Sequence, residues 1–188
     1  MNSIEIFYYD CPPLNKKLQH PISRKTIDFS KSERAIWRQQ FIHEMTCRRK
    51  VAMRLGKVDE INTNWSINPK LTHKLVNGSI SIQDLEENDI MLITKQKGVD
   101  MRIGIDIASL AYKQQVERIV LIAGDSDFVP AAKLARREGI DFILDPMWAP
   151  IKPDLFEHID GLKSTFPDPN KKLPKEAIPE AKDDFCER

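Results

Sequence analysis

Short β-branched and aromatic runs alternate along the chain with stretches of helical period. Residues 4–9 (IEIFYY) form such a run, ended by Asp10 and stopped by Pro12 and Pro13, and predict a strand. Residues 11–30 carry Pro12, Pro13 and Pro21 among several Lys and Arg, and read as loop. Ser30 and Glu33 have capping-box spacing. They predict a helix reaching about residue 49, with Ile36, Trp37, Phe41 and Met45 forming much of its apolar face. Residues 51–55 predict a second strand, stopped by Gly56. The pattern then weakens. Trp65 and Ile67 fit an edge strand and residues 70–76 a short helix closed by Asn77-Gly78, so residues 57–90 read as an insertion.

Regularity returns at Ile90. Residues 90–94 are strand-like, residues 95–98 break the run, and residues 100–113 are helical with Met101, Ile105, Ala108 and Tyr112 near one face. The unbroken apolar run 119–123 predicts a central parallel strand covered on both faces. Gly124-Asp125-Ser126-Asp127 turns the chain into a helix ending at Gly139, and residues 142–144 form another buried strand ending at Asp145-Pro146. Strand, acidic turn, helix and strand in this order make a βαβ unit, and the fold class is α/β. From residue 166 prolines and charges outnumber apolar residues, which predicts a flexible tail over 166–188 after one domain over 1–165.

Composition narrows the partners. Among 188 residues, 29 Lys and Arg nearly balance 28 Asp and Glu, so any nucleic-acid surface must be a local patch. Cys11, Cys47 and Cys186 lie far apart, which argues against a zinc ribbon or disulfide framework and suits a reducing cytosol. No signal-peptide pattern opens the chain and no apolar run has the length of a membrane span. The expectation is a soluble, cytoplasmic protein with no membrane partner.

The candidate chemistry is acidic. In open α/β sheets, ligands sit beyond the carboxyl ends of the strands. Asp125 and Asp127 follow the strongest strand, Asp100 and Asp106 lie in the first turns of the preceding helix, and Asp10 and Asp145 each follow a strand end. Carboxylates converging on one site repel unless a cation neutralises them. Oxygen-only ligands point to Mg²⁺ or Mn²⁺ rather than zinc. Such an ion can activate water and hold the oxygens of a phosphodiester. Each aspartate also has a plainer reading. Ser126 or Asp127 can serve only as a helix N-cap, Asp106 as a solvated helix residue, and Asp10 and Asp145 as turn formers.

Other chemistries find less support. His20, His43, His73 and His158 show no metal-ligand spacing and read as surface or partly buried residues. No nucleophile elbow, Walker loop or dinucleotide fingerprint is present. Basic residues cluster at Lys16, Lys17, Arg24 and Lys25, at Arg48, Arg49, Lys50 and Arg54, and at Lys133, Arg136 and Arg137. Each cluster is a solvated face by default and a phosphate contact as the alternative. Trp148 reads as buried, with base stacking as its alternative role.

Two motifs carry a family resemblance. Residues 96–106 (QKGVDMRIGID) and 122–130 (IAGDSDFVP) resemble the NYN domain, also described as LabA-like or DUF88, of the PIN-like nuclease superfamily. Residues 6–13, 21–23 and 27–30 are similar to a bacterial subgroup, and the likeness covers most of residues 4–165. The resemblance implies a three-layer fold with a mostly parallel central sheet flanked by helices. It implies a Mg²⁺ or Mn²⁺ site in which Asp100, Asp125 and Asp127 are catalytic ligands and Asp106 a further ligand. It makes RNA, single-stranded or structured, the expected substrate of an endoribonuclease. Lys97, Arg102, Lys133, Arg136 and Arg137 are the expected nucleic-acid contacts, read from the placement of basic residues.

One departure is visible. Family members open with a strand ending in an Ile-Asp-Gly-like motif that supplies the first catalytic aspartate, followed by a helix. This chain starts at the strand resembling the next one, so the domain reads as N-terminally incomplete. In the family's sheet that strand is central, and its loss is expected to leave a gap between neighbours. A fragment or misassigned start, a partner chain or second copy completing the sheet, and replacement of the aspartate by Asp10 all stay open. So does a catalytically impaired NYN module that binds RNA or serves assembly.

Overall fold

A computed structural model describes residues 5–171, and the chain divides into two compact units, one up to Val99 and the other from Asp100. The expected tail therefore falls, from residue 172 onward, outside the described residues.

The first unit is built on a parallel pair. Strand β1 (Ile6–Asp10) runs beside β4 (Val51–Leu55), in register from Ile6↔Val51 to Asp10↔Leu55. Parallel strands need a long crossover. Helix α1 (Glu33–Cys47) supplies it and packs on β4. Within the stretch expected to be loop, β2 (Lys17–Gln19) and β3 (Thr26–Asp28) pair as an antiparallel hairpin. Three-residue strands are too short to show alternation, which is why prolines dominated the sequence reading. His20 beside this hairpin is 3% exposed, deeper than expected, and its ring meets Trp65 edge-on at 4.7 Å.

Helix α1 corrects two expectations. Its N-cap is Ser32, whose Oγ accepts from the Ala35 amide at 3.2 Å. Ser30 instead sits in a preceding 3-10 turn capped by Asp28. The buried residue of α1 is Ala35, while Ile36 and Trp37 lie on the outside. Trp37 stacks on Phe41 at 5.4 Å, and Phe41 meets Tyr8 of β1.

Two ribbons, a helix and two 3-10 turns, Ile82–Asp84 and Glu87–Asp89, complete the described elements of the first unit. β5 (Lys57–Val58) pairs antiparallel with β8 (Gln96–Lys97), so part of the expected break at 95–98 is strand. β6 (Asn64–Ile67) pairs antiparallel with β7 (Ile90–Ile93), giving Trp65 and Ile67 the strand expected of them. Helix α2 (Pro69–Val76) is capped by Asn68 and ends at Asn77, with Gly78 at positive φ.

The second unit begins with α3, which spans Val99–Tyr112. It continues through β9 (Arg118–Ile122), α4 (Val129–Arg137), β10 (Asp141–Asp145), α5 (Pro153–Phe156) and β11 (Gly161–Leu162). The three strands form one parallel sheet in the order β11-β10-β9. The central strand is thus β10, and β9 is an edge, contrary to the expectation for 119–123. Alternation decides the two faces. Leu121, Phe142 and Leu144 lie on the face that is buried, where α4 packs on β10 with Ala132 and Ala135 fully covered. Full burial of Phe142 and Leu144 stabilises the unit by about 1.5–3 kcal/mol each. On the other face Val120 and Ile122 are 53% and 58% exposed. Helix α3 is corrected similarly: it buries Ile103, Ile107 and Ala111, leaving Met101, Ile105 and Tyr112 exposed. Among the described residues no helix is long and apolar enough to cross a membrane.

Gly56, after β4, shows how tightly the first unit closes. A Cβ there would meet the Lys97 carbonyl oxygen at 2.7 Å, Val99 Cγ2 at 2.8 Å and Cys11 Sγ at 2.9 Å. Gly56→Ala is expected to lower stability by about 1–3 kcal/mol through overpacking. Gly78→Ala, in open space at φ +74°, should cost about 1–2 kcal/mol through backbone strain alone. Urea unfolding of both variants checks the mechanism: adding Gly139→Ala, another open positive-φ site, should match Gly78→Ala and not Gly56→Ala.

Candidate functional site

Strands β9 and β10 end side by side, with Ile122 opposite Asp145, and the turns that follow carry the polar chemistry. After β9, Asp125 takes an extended conformation and caps a 3-10 turn over Ser126–Phe128. Its Oδ1 accepts from the Asp127 amide at 3.3 Å. The cap is therefore Asp125 and not Ser126 or Asp127. Phe128, 5% exposed, plugs the turn into the core, while Asp125 and Asp127 both stay exposed. The segment after β10 passes close by. The Pro150 carbonyl oxygen lies 3.6 Å from where a Gly124 Cβ would stand, and Lys152 Nζ donates to Ser126 Oγ at 2.9 Å.

Asp100 is exposed in the first turn of α3, and Asp106 lies half-buried further along it. Among the described residues no three His, Cys, Asp or Glu side chains stand close enough together to hold a metal ion. What the turn after β9 does present is two exposed carboxylates, with no ion pair to Asp125, Asp127 or Asp100 among the described residues. Mg²⁺ is commonly held by one or two carboxylates together with water and substrate phosphate. Asp125 and Asp127 fit that donor chemistry.

Two other acidic candidates have structural partners. Asp10, 8% exposed, is gripped by Arg38, whose Nε donates to Oδ2 at 3.1 Å and whose Nη2 donates to Oδ1. The Asp10 hydrogen bond raises the Arg38 guanidinium above its ordinary pKa. Asp145, 1% exposed, accepts from the Met147 amide and the Thr165 amide, each at 2.9 Å. Burial would raise its carboxyl, but the hydrogen bonds from Thr165 and Met147 outweigh that and hold it below the usual value. Asp145 is the expected turn former, and it also ties the segment after β11 to the end of β10.

The basic candidates divide. Lys97 is held by Asp59, a residue the sequence reading passed over, with Nζ 2.5 Å from Oδ2. Lys133, Arg136 and Arg137 line an open cleft of about 590 Å³ with Asp141 and Asp160, at the amino end of β10. In that cleft Arg136 pairs with Asp160 at 2.8 Å, and Arg118 pairs with Asp141. Arg102 is exposed on α3. Trp148, expected to be buried, is 48% exposed, and Lys152 joins the site without having been singled out. A lone Lys in a Pro-flanked segment has no sequence signal that would mark it.

The NYN domain family matches residues 23–150, more than half of the chain, including both motifs. The chain belongs to the NYN domain family. Its fold is accordingly that of the PIN-like superfamily, mixed α/β with parallel strands. No curated protein and no solved structure matches it. The NYN match takes in Asp100, Asp106, Asp125 and Asp127, and leaves β1 and Lys152 outside.

The Asp59–Lys97 pair gives a pH signature. Asp59 is lowered from 3.8 to about 2, chiefly by Lys97 and then by Asn62. A depressed carboxyl contributes stability above its unfolded value and loses it as pH falls through the folded one. Wild type should therefore exceed Asp59→Asn in urea midpoint above pH 3.8, with the gap closing toward about pH 2. A gap unchanged across that window would rule out the ionised pair as the cause.

Proposed function

We propose that this NYN domain is a Mg²⁺- or Mn²⁺-dependent endoribonuclease acting on single-stranded or structured RNA in the cytoplasm. One observation carries the reading. The turn that bears the family's acidic motif presents Asp125 and Asp127 from one cap at the carboxyl edge of β9, exposed and free of ion pairs among the described residues. These two residues would hold the cation; Asp100 and Asp106 of α3, the further ligands the resemblance implies, do not gather with them into a three-carboxylate cluster among the described residues. A bound divalent ion supplies charge neutralisation at the phosphodiester and lowers the pKa of water.

The chain's own residues then orient the substrate. Helix α4 starts just after the acidic turn and ends at Arg137, so it spans nine residues, or about 13 Å. Lys133 and Arg137 toward its far end are suited to attract an RNA backbone without reading its sequence, while Arg136 is already paired with Asp160. Arg102 adds a cation on α3. Lys97, already paired with buried Asp59, is better suited to holding the first unit together than to binding phosphate.

A second reading is favoured by a different observation. Strand β9 is an edge of its sheet, with one side of its backbone unpaired by any strand among the described residues. A catalytically impaired module, whose sheet a partner chain or second copy completes, would bind RNA with strong salt dependence and no turnover.

Cleavage of a labelled RNA in Mg²⁺ or Mn²⁺ separates the two. Asp125→Asn is expected to reduce the rate by more than about 100-fold, the upper end of what loss of an outer-shell partner costs a metal site. Undiminished cleavage in that variant, or cleavage that persists in chelator, would sink the metal mechanism.

A further inference from the structure

The turn after β10 is built to hold an aromatic ring at the surface. Met147 and Trp148 both adopt positive φ, 49° and 66°. That conformation is unfavourable for any residue with a Cβ and persists only where neighbours enforce it. The neighbours are visible. Buried Asp145 accepts from the Met147 amide at 2.9 Å, and Ala149 N closes back on the Pro146 carbonyl at 2.9 Å. The Trp148 amide donates to Ser164 Oγ at 3.4 Å, and the indole Nε1 donates to the Phe166 carbonyl at 2.8 Å. The indole is thus tied at its polar end, yet the residue stays 48% exposed, beside Met147 at 52%.

Its position matters as much as its exposure. Asp145, three residues earlier, stands opposite Ile122 of β9, so Trp148 leaves the same sheet edge as the Asp125 turn. Four residues later, Lys152 brings an ammonium group to Ser126 within that turn. An indole tethered on a half-exposed residue and followed by a cation, on the edge where parallel sheets bind ligands, matches what a single-stranded nucleic acid requires: a π face for a base and a charge for its phosphate.

The geometry points to Trp148 as a base-stacking platform for single-stranded RNA, with Lys152 contacting the backbone beside the Asp125 turn. The inference deepens the proposed function and rests on its RNA-binding half, but not on cleavage. Stacking is tolerant of base identity, because every base offers a π face. The platform would therefore fix the strand's position without imposing a sequence.

Binding in chelator tests it apart from catalysis, using anisotropy of a labelled oligouridylate. Trp148→Ala should weaken binding about tenfold, within the range for loss of one base–aromatic stack, and Trp148→Phe should retain most of the affinity. An abasic nucleotide moved along an oligonucleotide no longer than the bound stretch, so that it cannot slide, should find one position where wild type loses about tenfold and Trp148→Ala loses nothing further. Lys152→Gln should lower the salt slope by about 0.7. If Trp148→Ala fails to fold, Trp148→Leu keeps apolar bulk without a π face and carries the same cycle. Wild-type affinity in the non-aromatic variant, losses that multiply at every abasic position, or no RNA binding at all would overturn the platform. Abolished cleavage in Asp125→Asn with stacking intact supports both readings; a wild type that stacks RNA but never cuts it retains the platform and removes the nuclease.

Discussion

Pairing of β9 with β10 is the constraint on which the candidate site depends. Five residues run parallel, from Arg118↔Asp141 to Ile122↔Asp145, and this register brings two separate turns to one edge. A slip of β9 by one residue would turn Leu121 away from the face that buries Phe142 and Leu144 and bring Val120 and Ile122 to it, so core burial fixes the alignment. Chemistry at the edge follows from it. Asp125 begins one turn, Met147 and Trp148 form the other, and Lys152 joins them through Ser126.

Acidic residues in this protein fall into two physical classes. Asp10, Asp59 and Asp145 are all under a tenth exposed, and each is satisfied: by Arg38, by Lys97 with Asn62, and by backbone amides at residues 147 and 165. A buried carboxylate without such partners would carry a large desolvation penalty. Asp100, Asp125 and Asp127 are exposed and carry no such partner cation among the described residues. The first class ties segments together within each unit, and the second leaves its oxygens available to a ligand.

Much of the local structure was legible because it rests on short-range rules. The strand over 51–55, the short helix closed by Asn77-Gly78, the helix after Asp100 and the strand–acidic turn–helix–strand order all follow from periodicity, capping and turn residues. Faces were less legible. Met101, Ile105 and Tyr112 share a helical stripe, yet α3 buries Ile103, Ile107 and Ala111, because both stripes are apolar enough to qualify. Similarly, an unbroken apolar run marks a buried strand only when neighbours lie on both sides, and β9 has one. The roles of Asp10 and Lys97 were hidden for a related reason: Arg38 and Asp59, their partners, are distant in sequence and carry no spacing signal.

By itself the sequence determined the α/β class, the NYN motifs and the placement of Asp125 and Asp127 after a strand, since each depends on residues within about one turn or strand of one another. Tertiary structure alone decided which aspartates are neutralised, that β10 rather than β9 is central in its sheet, and that Trp148 stands half-exposed. Those outcomes depend on which distant segments pack together, and long-range packing overrides local pattern wherever two faces are almost equally apolar.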